Sequence, residues 1–165
     1  MKINDDHMYH GAALTQIAEH PQFTAINAFK HNGATSRSSF LINTNIGVYL
    51  KYATKAIMPF KEFRFTFLGS HLKELKELES RFEKVYLGLV CVRAKQICAI
   101  SYKQFKDFLA ERREAKGSGE TIYTIIVTVP KGKRFRVYVN QPGERKTSLG
   151  VVRIPRNTFP GCLFD

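Results

Sequence analysis

The sequence predicts a mixed α/β domain with a central sheet, two or three helices and a C-terminal β extension. Three observations lead there. Apolar residues recur at helical spacing near the N-terminus, around Leu75 and after Ser101. Short apolar runs, some alternating and some continuous, have the length of strands. Clusters of Gly, Pro, Asn and Ser separate the two kinds of segment.

The elements follow in order. Residues 9–31 read as helical, with Ala12, Ala13, Leu14, Ile17 and Ala18 at helical spacing and Pro21 opening a second segment through Phe23, Ile26 and Phe29. The polar run from His31 to Ser38 reads as a loop. Strands are expected over Ser39–Thr44, over Val48–Ala53 after the turn Asn45-Ile46-Gly47, and over Glu62–Leu68, where Phe alternates with polar residues. Ser70 is the expected N-cap of a helix to about Glu83 whose apolar face is Leu72, Leu75, Leu78 and Phe82. Val85–Val92 is apolar throughout, the pattern of a central strand covered on both faces. Gln96–Ile100 is a further strand. Ser101 and Gln104 have capping-box spacing ahead of a helix to about Lys116, and Gly117-Ser118-Gly119 ends it. Strands over Ile122–Val129, Phe135–Val139 and Leu149–Ile154 complete the chain, with irregular structure after Pro155. A chain of 165 residues is one ordinary domain, with its core at about 9–116 and a basic β extension at about 120–165.

No apolar run is long enough to span a bilayer, and the N-terminus lacks the apolar stretch of a signal peptide, so a cytoplasmic protein with no membrane partner is expected. The odd count of 3 cysteines fits reduced thiols used as small apolar residues. Charge is the strongest bulk signal, at +12. It is concentrated: Lys131–Arg156 holds eight bases and one acid, Glu144. A one-sign field of this kind attracts phosphate backbones, and it also serves solubility.

Walker-type phosphate loops, dinucleotide glycine fingerprints, zinc-protease motifs and nucleophile elbows are missing. Cys91 and Cys98 lack a second pair, and His7 and His10 stand alone, so no resident metal or cofactor is expected from these residues.

The order helix, strand, strand, strand, helix, strand resembles the core of the PD-(D/E)XK, or restriction-endonuclease-like, nuclease superfamily. Asn45–Lys55 carries the resemblance, with Tyr49-Leu50-Lys51 at the place of the acid-x-Lys triplet, followed by the Phe-rich strand Phe63–Phe67. The resemblance implies an αβββαβ core and, in an active member, carboxylates holding magnesium. This chain departs from that pattern. No Asp or Glu occurs between Glu19 and Glu62, so Glu19, Asn45 and Lys51 are the candidate catalytic residues. A second register, Glu62-Phe63-Arg64, lacks its partner carboxylate as well.

The better site candidate is the basic hairpin. Lys131, Lys133 and Arg134 surround Gly132 at a turn, Arg136 alternates with Phe135 and Val137, and Arg145, Lys146, Arg153 and Arg156 extend the surface. Lys51 and Lys55 are candidate phosphate contacts from the nuclease-like groove, or side chains that merely snorkel to solvent. The expected function is non-catalytic binding of DNA or RNA. The alternatives are a nuclease with an atypical site, and an assembly module pairing through sheet edges with a copy of itself or a partner protein.

Overall fold

The computed structural model describes the backbone of residues 1–141 and 144–165, with side chains for 1–140 and 149–165. The elements are α1 (Asp5–Ala18), β1 (Ile26–His31), β2 (Ala34–Ile42), β3 (Ile46–Ala53), β4 (Phe63–Phe67), α2 (Gly69–Arg81), β5 (Lys84–Cys91), β6 (Gln96–Ser101), α3 (Tyr102–Lys116), β7 (Tyr123–Thr128), β8 (Phe135–Gln141) and β9 (Glu144–Ile154). A 3-10 turn over Gly161–Leu163 closes the described chain. Among the described residues, no helix is long and apolar enough to cross a membrane.

Two sheets result. The first has the order β1-β2-β3-β5-β6, and the second β4-β7-β8-β9. All neighbours are antiparallel except β3 and β5, which run parallel from Ile46 opposite Lys84 to Ala53 opposite Cys91. The continuous apolar runs of β3 and β5 suit this central place. Gly88 lies opposite Leu50. A Cβ there would stand 2.8 Å from Leu50 Cδ2, so close packing at this register requires glycine.

Each face of the first sheet buries a different layer. Ala13 and Ile17 of α1, with Phe159 and Leu163 of the C-terminal segment, cover Ile46, Val48 and Leu50. On the other face Tyr49, Leu87 and Leu89 meet Leu75 and Leu78 of α2, Phe105 and Phe108 of α3, and the inner face of the second sheet. That inner face consists of the odd-numbered residues Phe63, Phe65 and Phe67 of β4, Ile125 and Val127 of β7, and Phe135 and Val137 of β8. The second sheet is therefore no appendage. Its edge strand β4 comes from the middle of the chain, and one apolar cluster takes side chains from both sheets.

Several expectations need correction. Phe23, Ile26 and Phe29 do not continue a helix. Residues 19–22 form turns, and Ile26 begins β1. Of the residues in β1 only Phe29 is buried, so this edge strand shows no alternation to read. The expected loop at 31–38 is mostly β2, and Asn32-Gly33, both at positive φ (52° and 77°), makes the two-residue turn of a β1–β2 hairpin. The turn before β3 is 43–45, with Ile46 and Gly47 already in the strand. Leu68, not Ser70, caps α2, and its N–H donates to Nδ1 of His71. The Phe-rich strand of the expected nuclease-like core instead pairs with β7 in the second sheet, Phe63 opposite Val127. Helix α1 begins at Asp5, earlier than expected, because Asn4 caps it and His7 closes the capping box. The box at Ser101 and Gln104 forms as expected, at 2.9 and 3.1 Å.

Two histidines make the fold sensitive to acid. His10 is buried, its Nδ1 lies 2.8 Å from the Arg37 carbonyl, and its Nε2 has no hydrogen-bond partner among the described residues. Burial lowers its pKa. Burial, then the Lys51 ammonium, lower the pKa of His71, whose Nδ1 must stay unprotonated to accept from Leu68. A histidine with a lowered folded pKa binds fewer protons folded than unfolded. Its stabilisation is present above the ordinary value of 6.5 and is lost as pH falls below it. We expect the urea midpoint to drop as pH falls from about 7.5 to about 5.5. The His71→Gln variant should lose part of this dependence. An unchanged midpoint in the wild type would contradict the assignment.

Candidate nucleic-acid interface

The hairpin between β7 and β8 places its cations in solvent. Lys131, Lys133 and Arg134 are all exposed around Gly132, whose φ of 69° sets the turn. The turn is tied down from the C-terminal side. Arg156 Nε donates to the Lys133 carbonyl at 2.7 Å, its second terminal nitrogen donates to the Pro130 carbonyl, and its guanidinium lies 5.1 Å from the Phe135 ring centre. Arg156 thus holds the hairpin rather than extending its outer surface. That is a correction, because the charge run alone cannot separate a cation facing solvent from one that ties two segments.

Alternation in β8 sends Phe135 and Val137 into the core and leaves Arg136, Tyr138 and Asn140 on the outer face, as expected from the sequence. Arg136 stands 5.0 Å over the Tyr138 ring and directly opposite exposed Arg153 of β9. Arg145 and Lys146 lie outside the described side chains.

Beside this pair is a cleft of about 520 Å³. Its walls are the β3–β4 connection, with Ala56, Phe60 and Lys61, and Arg93 and Ala94 at the β5–β6 turn. Glu62, Arg136, Tyr138 and Asn140 line the rest, along with Val129 and Pro130. Glu62 is 2% exposed. Its carboxylate accepts from Arg64 at 2.8 Å and from the Tyr138 hydroxyl at 2.6 Å. Burial, then the Glu62 carboxylate, push the Tyr138 phenol up, so it stays a hydrogen-bond donor at neutral pH. The Glu62-Phe63-Arg64 triplet is therefore an internal ion pair. Nothing in the spacing of the sequence brought Lys61, Arg93 and Arg136 to one cleft, because they come from three separate segments.

The nuclease-like residues sit elsewhere. Glu19 caps the C-terminal end of α1, and Asn45 Nδ2 donates to Glu83 at 3.1 Å. Lys51 is six positions further along β3 than Asn45, about 20 Å at the ordinary strand rise. The Tyr9 ring lies 4.8 Å from that of Tyr52, the neighbour of Lys51, tilted by 50°. Glu19 is ten positions beyond Tyr9 in the chain, about 15 Å away along a helix axis. The three candidates are not brought together. Lys51 is half-buried with its ammonium 5.2 Å from the Phe67 ring centre, and burial lowers its pKa. Lys55 is exposed one residue before Ala56 of the cleft wall.

Magnesium chemistry needs converging carboxylates. Among the described residues, no three His, Cys, Asp or Glu side chains converge to hold a metal ion. On β2, Ser39 lies opposite Tyr49, and neither supplies a carboxylate. Glu74 of α2 reaches Ser39, but as the acceptor of its hydroxyl at 2.8 Å. Asp6 is the carboxylate whose charge acts on Lys51, and no three-ligand set for the divalent ion that the nuclease resemblance implies forms there among the described residues.

No protein-family model matches the chain, and comparison with curated proteins and with solved structures finds no match to it.

Proposed function

We propose that the protein binds nucleic acid without cutting it, gripping phosphates with Lys131, Lys133 and Arg134 of the β7–β8 hairpin and with Arg136 and Arg153 beside it. The observation that carries this reading is the placement of these five cations on the β7–β8 hairpin and the outer faces of β8 and β9, within a stretch holding eight bases and one acid. Phosphate contacts supply affinity without sequence information, and among the described residues no helix lies on this surface to read bases. DNA and RNA share the backbone it would hold.

The same reading takes the first sheet with its helices as a restriction-endonuclease-like core used for binding alone. The chain order is α1, β1 to β4, α2 and β5, and it reduces to αβββαβ once β4, which joins the second sheet, is set aside, with β1, β2, β3 and β5 adjacent in one sheet. Support for loss of catalysis comes from Tyr49 and Ser39 at the positions that flank Lys51 on its face, where a nuclease of this type needs acids.

The test is fluorescence-anisotropy titration of labelled 20-mer duplex DNA, single-stranded DNA and RNA against salt. Five phosphate contacts predict a log–log slope of about −4.5 on duplex and about −3.5 on a single strand. Binding that ignores salt, or no binding at low salt, would overturn the proposal. Cleavage on adding magnesium or manganese would turn it into a nuclease.

A further inference from the structure

The cleft beside the hairpin is built for more than a backbone track. Lys61, Arg93 and Arg136 reach it from the β3–β4 connection, the β5–β6 turn and β8, whereas Glu62, the one carboxylate lining it among the described residues, already accepts from Arg64 and Tyr138. No ion-pair partner of Lys61 or Arg93 occurs among the described residues. Lys61 and Arg93, with no counter-charge among the described residues, favour an anion. The cleft also offers a flat apolar wall. Phe60 is 46% exposed on the segment that carries the cis Met58–Pro59 bond, and Ala94, Val129 and Pro130 adjoin it. A third feature asks for a hydrogen-bond donor. Asn140 lines the cleft, and its Oδ1 is buried with no partner among the described residues. An anionic group, a planar ring and an N–H donor occur together in a nucleotide. The volume of about 520 Å³ falls within the roughly 300–1,000 Å³ usual for small-ligand sites.

We propose that this cleft holds one unstacked nucleoside phosphate, its base on Phe60 and toward Asn140, its phosphate on Lys61, Arg93 and Arg136. The proposal rests on the nucleic-acid reading above and deepens it, since a base can enter the cleft only from a single strand, a strand end or a free nucleotide. Duplex DNA would meet the hairpin alone. Stacking tolerates any base, so the cleft adds strand preference rather than sequence preference.

The experiment compares wild type, Phe60→Ala and Arg93→Ala, both exposed positions whose replacement leaves the core intact. Each is titrated with a mixed-sequence single-stranded 15-mer, its duplex, and the nucleoside monophosphates AMP, CMP, GMP and UMP. We expect the wild type to prefer the single strand. Phe60→Ala should weaken single-strand binding by about tenfold and change duplex binding by less than about twofold. Unchanged single-strand affinity in both variants would overturn the cleft site, and hairpin-dependent duplex binding would still leave the phosphate-surface proposal standing. Equal losses on strand and duplex would also overturn it, since the cleft would then be ordinary backbone surface. Monophosphates bound in a Phe60-dependent way, with no affinity for strands, would support the cleft with a free nucleotide as its ligand while defeating the phosphate-surface proposal. No binding of any probe would overturn both.

Discussion

Phe67→Ala is expected to cost about 3–5 kcal/mol of stability, as removal of a fully buried aromatic side chain does. Phe67 belongs to the second sheet, yet its ring lies 6.2 Å from Tyr49 of the first sheet and 4.8 Å from Phe105 of α3. It also carries the Lys51 ammonium at 5.2 Å. Truncation opens a void at the junction of three layers and takes from a half-buried cation the ring it rests on. The urea midpoint should fall with the m-value unchanged. Phe67→Leu should restore part of the loss by refilling the volume. A loss below about 1 kcal/mol, within the range of ordinary surface substitutions, would mean that the two sheets do not share a core.

Reversing the hairpin, with Lys131, Lys133 and Arg134 all replaced by Glu, should weaken duplex binding by about 100-fold near physiological salt. Three exposed charge contacts at about 1 kcal/mol each give that figure. The log–log salt slope should shrink by about 2.7, or 0.9 per lost phosphate contact. Thermal stability should barely move, because all three side chains are exposed and the turn is held by Arg156 through backbone carbonyls. Anisotropy and a melting curve on the same preparation separate the two effects. Weakened binding with an unfolded hairpin would not count as loss of a phosphate site.

Much of the fold was legible where a local rule decides the outcome. The capping box of Ser101 and Gln104, the continuous apolar run of β5 and the alternation of β4 and β8 all sit where the sequence places them. The failures share a cause, since alternation tells which residues share a face and is silent about which sheet the strand joins. Phe63–Phe67 therefore joined the wrong sheet in the reading of the sequence. Strand β1, at the edge with one buried residue, had no alternation to betray it, and three apolar residues spaced three apart imitated a helix. His7 closes the cap of α1 where Glu or Gln is the usual signal. The hairpin cations were legible from charge density alone. Arg156 was misjudged because only packing distinguishes a tie from an exposed cation. The cleft was not legible at all, since Lys61, Arg93 and Arg136 meet only after both sheets form.

The most direct measurement compares two charge reversals for their salt slopes on the same duplex. One is the hairpin triple variant. The other places Glu at Lys73 and Lys76, exposed on α2 and unpaired among the described residues. A phosphate-binding hairpin predicts a shallower slope and weak binding for the first, and a slope within about half a unit of wild type for the second, since contacts rather than net charge set the number of counterions released. Equal losses per reversed charge in both would contradict the proposal and leave +12 as a diffuse field with no binding surface of its own.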